Sequence, residues 1–316
     1  MNLNDTIFMF LCTLLVWLMT PGLSLFYGGL VQSKNALNTV MQSMAAIVLV
    51  TFVWITVGFT ISFGNGNLWF GNWEYTFLNH VGFATQEDIS PHNLIITLIG
   101  GIFVWIGWYG FNVGSAFTFD KIAMLAFTNT VISASAGSIG WLILEYIFKK
   151  TTSLLGLLLG ALAGLVVITP AAGYVTYLSA TIMALIGGIC CYIVINYIKV
   201  KLKYHDALDA FGIHGVGGII GAALTAVFQS KKANPDIENG FIYTGDIHII
   251  LVQILCVTAV VIFSIVMTFI IAKVIKLITP LSVTEQETNI GLDKIVHGEH
   301  AYFEGELNRF NKHIRY

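Results

Sequence analysis

Long apolar runs separated by short polar joints make up most of this chain. A hydrocarbon layer about 30 Å thick needs roughly 20 apolar residues per helix, each rising about 1.5 Å. Eight stretches meet that length: about 6–30, 39–63, 95–119, 122–148, 153–171, 177–199, 206–229 and 248–278. The pattern predicts an all-α polytopic membrane protein. The fifth stretch stops at Thr169–Pro170, where a proline that donates no backbone hydrogen bond ends or kinks the helix. Between the second and third stretches, Gly64 to His92 is polar and rich in glycine and aromatic residues, with Glu74, Glu87 and Asp88 but no Lys or Arg. That loop cannot cross a membrane. The first five residues, Met1 to Asp5, lack the basic start of a signal peptide, so the first run is expected to be a helix of the mature protein. From about Thr279 the chain is charged and apolar only in patches, which divides it into a transmembrane domain over 1–278 and a soluble tail over 279–316.

Composition supports this choice of solvent. Of 316 residues, 56% are hydrophobic and 10% charged, against about 25% charged in an ordinary soluble domain. Cys12, Cys190, Cys191 and Cys256 all lie in apolar segments without metal-ligand spacing and read as small buried side chains. No metal or cofactor is expected. The net charge of −2 points to no partner, and nothing suggests nucleic-acid binding.

Cytoplasmic loops accumulate Lys and Arg. On that rule Lys34 marks the first loop as inside, Lys149 and Lys150 the fourth, Lys199, Lys201 and Lys203 the sixth, and Lys273 and Lys276 the exit to the tail. Lys231 and Lys232 count against the scheme, though Asp236, Glu238 and Asp246 share their loop. Two inside loops must be separated by an even number of crossings, yet three stretches separate Lys34 from Lys149. Either one stretch does not cross, or the chain lacks an odd number of helices relative to the architecture its charges suit.

Four segments carry a resemblance. They are Thr20-Pro-Gly-Leu-Ser-Leu-Phe-Tyr-Gly-Gly-Leu-Val-Gln-Ser-Lys-Asn35, Gly107-Trp-Tyr-Gly-Phe-Asn-Val-Gly-Ser115, Asp206-Ala-Leu-Asp-Ala-Phe-Gly-Ile-His-Gly-Val-Gly-Gly218, and Gly291-Leu-Asp-Lys-Ile-Val-His-Gly-Glu-His-Ala-Tyr302. In sequence and in order they resemble the ammonium transporter (Amt/methylammonium permease/Rh) family, over about 6–89 and 91–303. The resemblance implies a helical bundle with about eight spans instead of the family's usual eleven. The third, fourth and most or all of the fifth family helices are the absent ones, with the gap near Ser90–Pro91. An odd loss answers the parity conflict read from the lysines. It would also remove the family's outer-gate phenylalanine, recruitment-site tryptophan, conserved aspartate and first pore histidine, so no residue here is assigned to those roles.

The chemistry of the remaining residues follows from a cost. Stripping water from an ammonium ion costs on the order of 20 kcal/mol in the idealised Born limit and still several after relaxation. The resemblance implies recruitment of ammonium at an aromatic vestibule, removal of the proton, and passage of neutral ammonia past histidine. Cation–π attraction at such a vestibule contributes about 0.5–2 kcal/mol, which recognises the ion without compensating fully.

Phe111 and Ser115, four residues apart, share one helix face. By the family motif, Phe111 is the inner member of a stacked phenyl gate and Ser115 a hydroxyl of the recruitment site. The plain alternative is a packing ring and a serine bonded to a carbonyl one turn earlier. Trp105, Trp108 and Tyr109 read as packing or interfacial anchors.

His214 lies eight residues beyond Asp206 in an otherwise uncharged, glycine-rich run. An ionisable group inside the bilayer is a functional candidate by default, and the motif makes it the second pore histidine, neutral at rest. The alternative is a histidine tied to a backbone carbonyl. Asp206 and Asp209 open the same helix, where carboxylates cap free amides, or else support the pore. Gly212, Gly215, Gly217, Gly218 and Gly221 suit close helix contacts. His80, His92, His205 and His248 fall in loops or at helix ends and read as solvated.

In relatives, the segment around His297-Gly-Glu299 packs on the cytoplasmic face, couples subunits of a homotrimer and lies near the docking place of P-II-type signalling proteins. Composition alone would make it a polar tail. The resulting expectation is a multi-pass plasma-membrane transporter of ammonium or ammonia with its tail in the cytoplasm. A non-conducting ammonium sensor, or a truncated remnant, is the alternative. An intramembrane enzyme built on His214 and Asp209 is disfavoured, because no nucleophile accompanies them at a usable spacing.

Overall fold

The computed structural model describes residues 3–54, 92–204, 206–278 and 283–302. Its long helices are α1 (Leu3–Leu30), α2 (Ala36–Val53), α3 (Leu94–Gly114), α4 (Lys121–Lys149), α5 (Leu154–Ile168), α6 (Tyr177–Ile193), α7 (Val216–Phe228) and α8 (Ile247–Lys276), followed by the short α9 (Glu285–Ile290). Helix α6 runs on through a π-helical turn, Val194–Ile198, into Lys199–Leu202, and a second π-helical turn, Phe211–Gly215, leads into α7. Seven helical runs among the described residues are long and apolar enough to cross a membrane. Of the eight expected spans, the second, about 39–63, is described only as far as Trp54. His80, His205 and the expected gap at Ser90–Pro91 lie outside the described residues.

Polar residues at the joints start the helices. Asn93 accepts the backbone N–H groups of Ile95 and Ile96, Asp120 that of Ala123, Ser153 that of Gly156, and Asp246 that of His248. Each satisfies amides that a helix leaves without partners, a contribution of about 1 kcal/mol. Small residues then set how closely the helices cross. A Cβ on Gly164 would run into the Ser133 carbonyl, and one on Gly100 into the Phe26 amide, so α5 packs on α4 and α3 on α1 backbone to backbone.

The connections show how the chain alternates. Asp5 accepts the Phe119 N–H at 3.3 Å, joining the start of α1 to the end of α3. At the opposite end the Val31 carbonyl sits 2.6 Å from Nδ1 of His92. Helices α1 and α3 are therefore antiparallel, and α4 to α8 alternate after them. The joints bearing Lys34, Lys149 and Lys150, Lys199 to Lys203, and Lys273 and Lys276 thus fall on one face, as the charge pattern requires. Lys231 lies at the other face, where it pairs with Glu238 at 2.8 Å.

The segment 283–302 docks on the lysine-bearing face. The buried Asp293 carboxylate accepts the N–H groups of Leu37 (3.0 Å) and Asn38 (2.8 Å) at the start of α2. Leu292 donates its N–H to Asn35, and a ring nitrogen of His297 lies 3.1 Å from the Asn38 amide oxygen. His92 is held there too, its second nitrogen 2.8 Å from the Tyr302 hydroxyl, rather than solvated as its loop position suggested. Its partner lies 210 positions away, beyond the reach of local sequence. His248 is exposed, as expected.

Candidate functional site

One cavity of about 450 Å³ gathers the most informative side chains. Met19 comes from α1, Trp108 and Phe111 from α3, and His214 and Gly218 from the α7 run. Val166, Thr169 and Pro170 close it at the end of α5. Trp108 and Phe111 are three residues apart, which puts both on one face of α3.

Trp108 organises this group. Its ring lies 6.1 Å from the His214 ring at an interplanar angle of 6°, and 6.2 Å from Phe111 in an edge-on arrangement. Its indole N–H donates to the Thr169 hydroxyl at 2.8 Å, and that hydroxyl donates to the Leu165 carbonyl at 2.7 Å. The indole is pinned to the 3-10 turn Thr169–Ala171 and lies parallel to the imidazole. Trp108 is buried in the core, as its packing role requires, and its register with Phe111 also brings it to the site.

His214 sits in the π-helical turn Phe211–Gly215. Such turns widen the helix by one residue and re-aim side chains, often at functional sites. Neither ring nitrogen of His214 has a hydrogen-bond partner among the described residues, so the tie to a carbonyl is not observed there. Both His214 and Phe111 are exposed in the described chain.

The flanking carboxylates play different parts. Asp206 accepts the Gly212 N–H at 3.0 Å, a capping contact at the entry to the π-helical turn. Asp209 has a left-handed backbone, φ 55°, and takes Lys199 at 2.7 Å through its carboxylate. Burial pushes the Asp209 carboxyl above its usual range, while Lys199 opposes the shift. Ser115 is exposed, is not among the residues lining the cavity, and donates to the Phe111 carbonyl at 2.9 Å. No group of three His, Cys, Asp or Glu side chains among the described residues could hold a metal ion.

The helical bundle thus carries an imidazole stacked on Trp108, with Phe111 on the same cavity wall. The profile of the Ammonium Transporter Family matches residues 7–83 and 79–302. This chain belongs to the ammonium transporter family. The Bacillus subtilis ammonium transporter is 37% identical over 401 aligned positions, which span 96% of this chain and 99% of the relative. Because 401 exceeds the 316 residues of this family member by 85, at least 85 aligned positions face gaps in it. The Aquifex aeolicus ammonium transporter is 29% identical, over 96% of this chain and 94% of the relative. Among solved structures, Candida albicans Mep2 matches with a TM-score of 0.81 at 22% identity, covering 91% of this chain and 88% of its own. A protein described as a sensor Amt protein matches at 0.81 and 21% identity, over 94% and 98%. At those identities the structures share the fold. The two profile matches meet at 79–83, within the stretch 55–91 that lies outside the described residues.

Proposed function

We propose that this chain moves ammonium or ammonia across the plasma membrane, with His214 receiving the passing nitrogen and Phe111 gating its approach. The observation carrying this reading is the single cavity that holds both side chains, with Trp108 between them. A neutral imidazole with open nitrogens accepts from an ammonium or donates to ammonia, while the aromatic faces favour a cation over an anion. Ser115 serves recruitment at the outer end, and Asp206 and Asp209 hold the entry to the π-helical turn from which His214 projects. The lysine-bearing face is cytoplasmic, so the docked segment 283–302 lies inside the cell. There it couples the subunits of a homotrimer and is reachable by a P-II-type signalling protein.

Uptake of labelled methylammonium by the purified chain in liposomes tests the proposal. Saturable uptake abolished by His214→Ala is the expected result; uptake indifferent to that change would end the assignment. A second reading, a non-conducting ammonium sensor, is favoured by the exposure of His214 and Phe111, because a pore histidine and gate that stand open leave a passage walled on one side. Ammonium binding that depends on His214 without any uptake would select it.

A further inference from the structure

The His214 cavity is far larger than ammonia requires. A water-sized molecule takes a share of about 30 Å³ in the liquid, whereas this hollow holds about 450 Å³, within the range of about 300–1,000 Å³ typical of small-molecule sites. It also does not end at His214. A second hollow of about 400 Å³ lies between α7 and α8, lined by Ile219, Ala222, Gln253, Cys256 and Val260 among others. Gly218 lines both hollows. Among the described residues a Cβ at Gly218 would meet nothing within 4 Å, so the space beside it is open there. Gly218 lies one turn past His214, about 6 Å along the helix.

We propose that the two hollows form one amphipathic site for primary alkylammonium ions, with the nitrogen on His214 and the alkyl chain crossing Gly218 into the α7–α8 cleft. This rests on the reading that the His214 cavity is an amine site, and extends it to substrates with an apolar tail. The polar end is set by an imidazole lacking a partner among the described residues. The Trp108 ring stacks on it with Phe111 behind, and no Lys or Arg among the described residues lines either hollow, which favours a cation over a carboxylate. The far end is apolar apart from Gln253 and Cys256.

Cys256 provides the readout. It is exposed, whereas Cys12 and Cys191 are buried and Cys190 is half-buried. In lipid nanodiscs carrying Cys190→Ser, maleimide labelling of Cys256 is followed against n-octylammonium, methylammonium, octanol and octanoate. Octylammonium should slow labelling of Cys256 about tenfold, whereas methylammonium, whose single carbon does not cross Gly218, should leave it unchanged. Protection should be lost in His214→Ala, which removes the nitrogen's partner, and in Gly218→Leu, which fills the crossing. Excess ammonium should restore labelling. Gly218→Leu is expected to fold, and its melting temperature checks that; His214→Ala carries the test independently. Equal protection by octanol or octanoate, or protection that survives His214→Ala, overturns the proposal. If octylammonium gives no protection while His214-dependent methylammonium uptake persists, the alkylamine site is refuted and the transport reading stands. Loss of both refutes both.

Discussion

Helices α5 and α8 are both strongly apolar, α8 the more so, yet their surroundings are opposite: 72% of the α5 window lies buried within the described chain and 0% of the α8 window does. Hydropathy therefore does not decide which helix enters the bundle. In a bilayer, lipid tails compete with any leucine, so association depends on how closely backbones approach. Helix α5 carries Gly156, Gly160 and Gly164, with Ala161 and Ala163 between them, and each is buried against a neighbour. Helix α8 has no glycine in its 30 residues and presents isoleucine, valine and phenylalanine outward. The His214 cavity lies between these regimes, backed by the packed end of α5 and bordered by the α7 turn whose Gly218 faces open space.

The sharpest way to break this comparison is to put the same side chain on both helices. Gly164→Leu drives a branched side chain into the Ser133 carbonyl and the Gly137 backbone, which cannot yield. It should cost about 3 kcal/mol or more, seen as a large fall in melting temperature in detergent or failure to assemble. Ala259→Leu on α8, amid exposed neighbours, should leave the melt almost unchanged. Equal losses would mean that burial in the bundle is not what separates the two helices.

A smaller effect is expected where the tail meets the bundle. Asp293→Ala removes two hydrogen bonds to the first amides of α2, each with a typical net worth of about 1 kcal/mol. The helices should stay folded while 283–302 comes free. Faster hydrogen exchange confined to that segment and to Leu37 and Asn38 is the check; unchanged protection would show that Leu292 and His297 hold the tail without it.

The spans were legible because bilayer thickness fixes their length, and their caps because Asn, Asp and Ser at a joint have few other uses. His214 and Phe111 were legible through the family motifs that contain them. Other features depend on partners that sequence does not advertise. Trp108 reads as a packing or interfacial anchor and does pack in the core, but its hydrogen bond to Thr169 crosses 61 positions. The π-helical turn under His214 could not be read from Phe-Gly-Ile-His-Gly, which suits an ordinary helix equally well. Asp209 was expected to cap, but Lys199 reaches it from the end of the preceding helix.

At the cavity, function and stability should separate. His214 is exposed, and its ring contact among the described residues is the stack on Trp108, worth about 0.5–1.5 kcal/mol. His214→Ala should leave the melt within that margin while methylammonium uptake falls about tenfold or more, a rise of at least about 1.4 kcal/mol in the barrier. Trp108→Phe keeps an aromatic ring but drops the bond to Thr169. Partial loss of uptake there, with full loss in His214→Ala, would make the indole a positioning residue.

The smallest effect belongs to the seam between α6 and α7. Burial holds the Asp209 carboxyl above the ordinary value of 3.8, so in the folded protein it keeps its proton to higher pH than in the unfolded chain. The fold then binds more protons than the unfolded state just above pH 3.8, and this contribution to stability is complete below that value and is lost as pH rises through the folded one. Asp209→Asn removes the titration and leaves Lys199 without its anion. The variant's melting temperature should vary less with pH across the interval just above 3.8, where the parent's declines relative to it. A parent that instead gains stability relative to the variant over that interval would mean that Lys199, and not burial, governs the carboxyl.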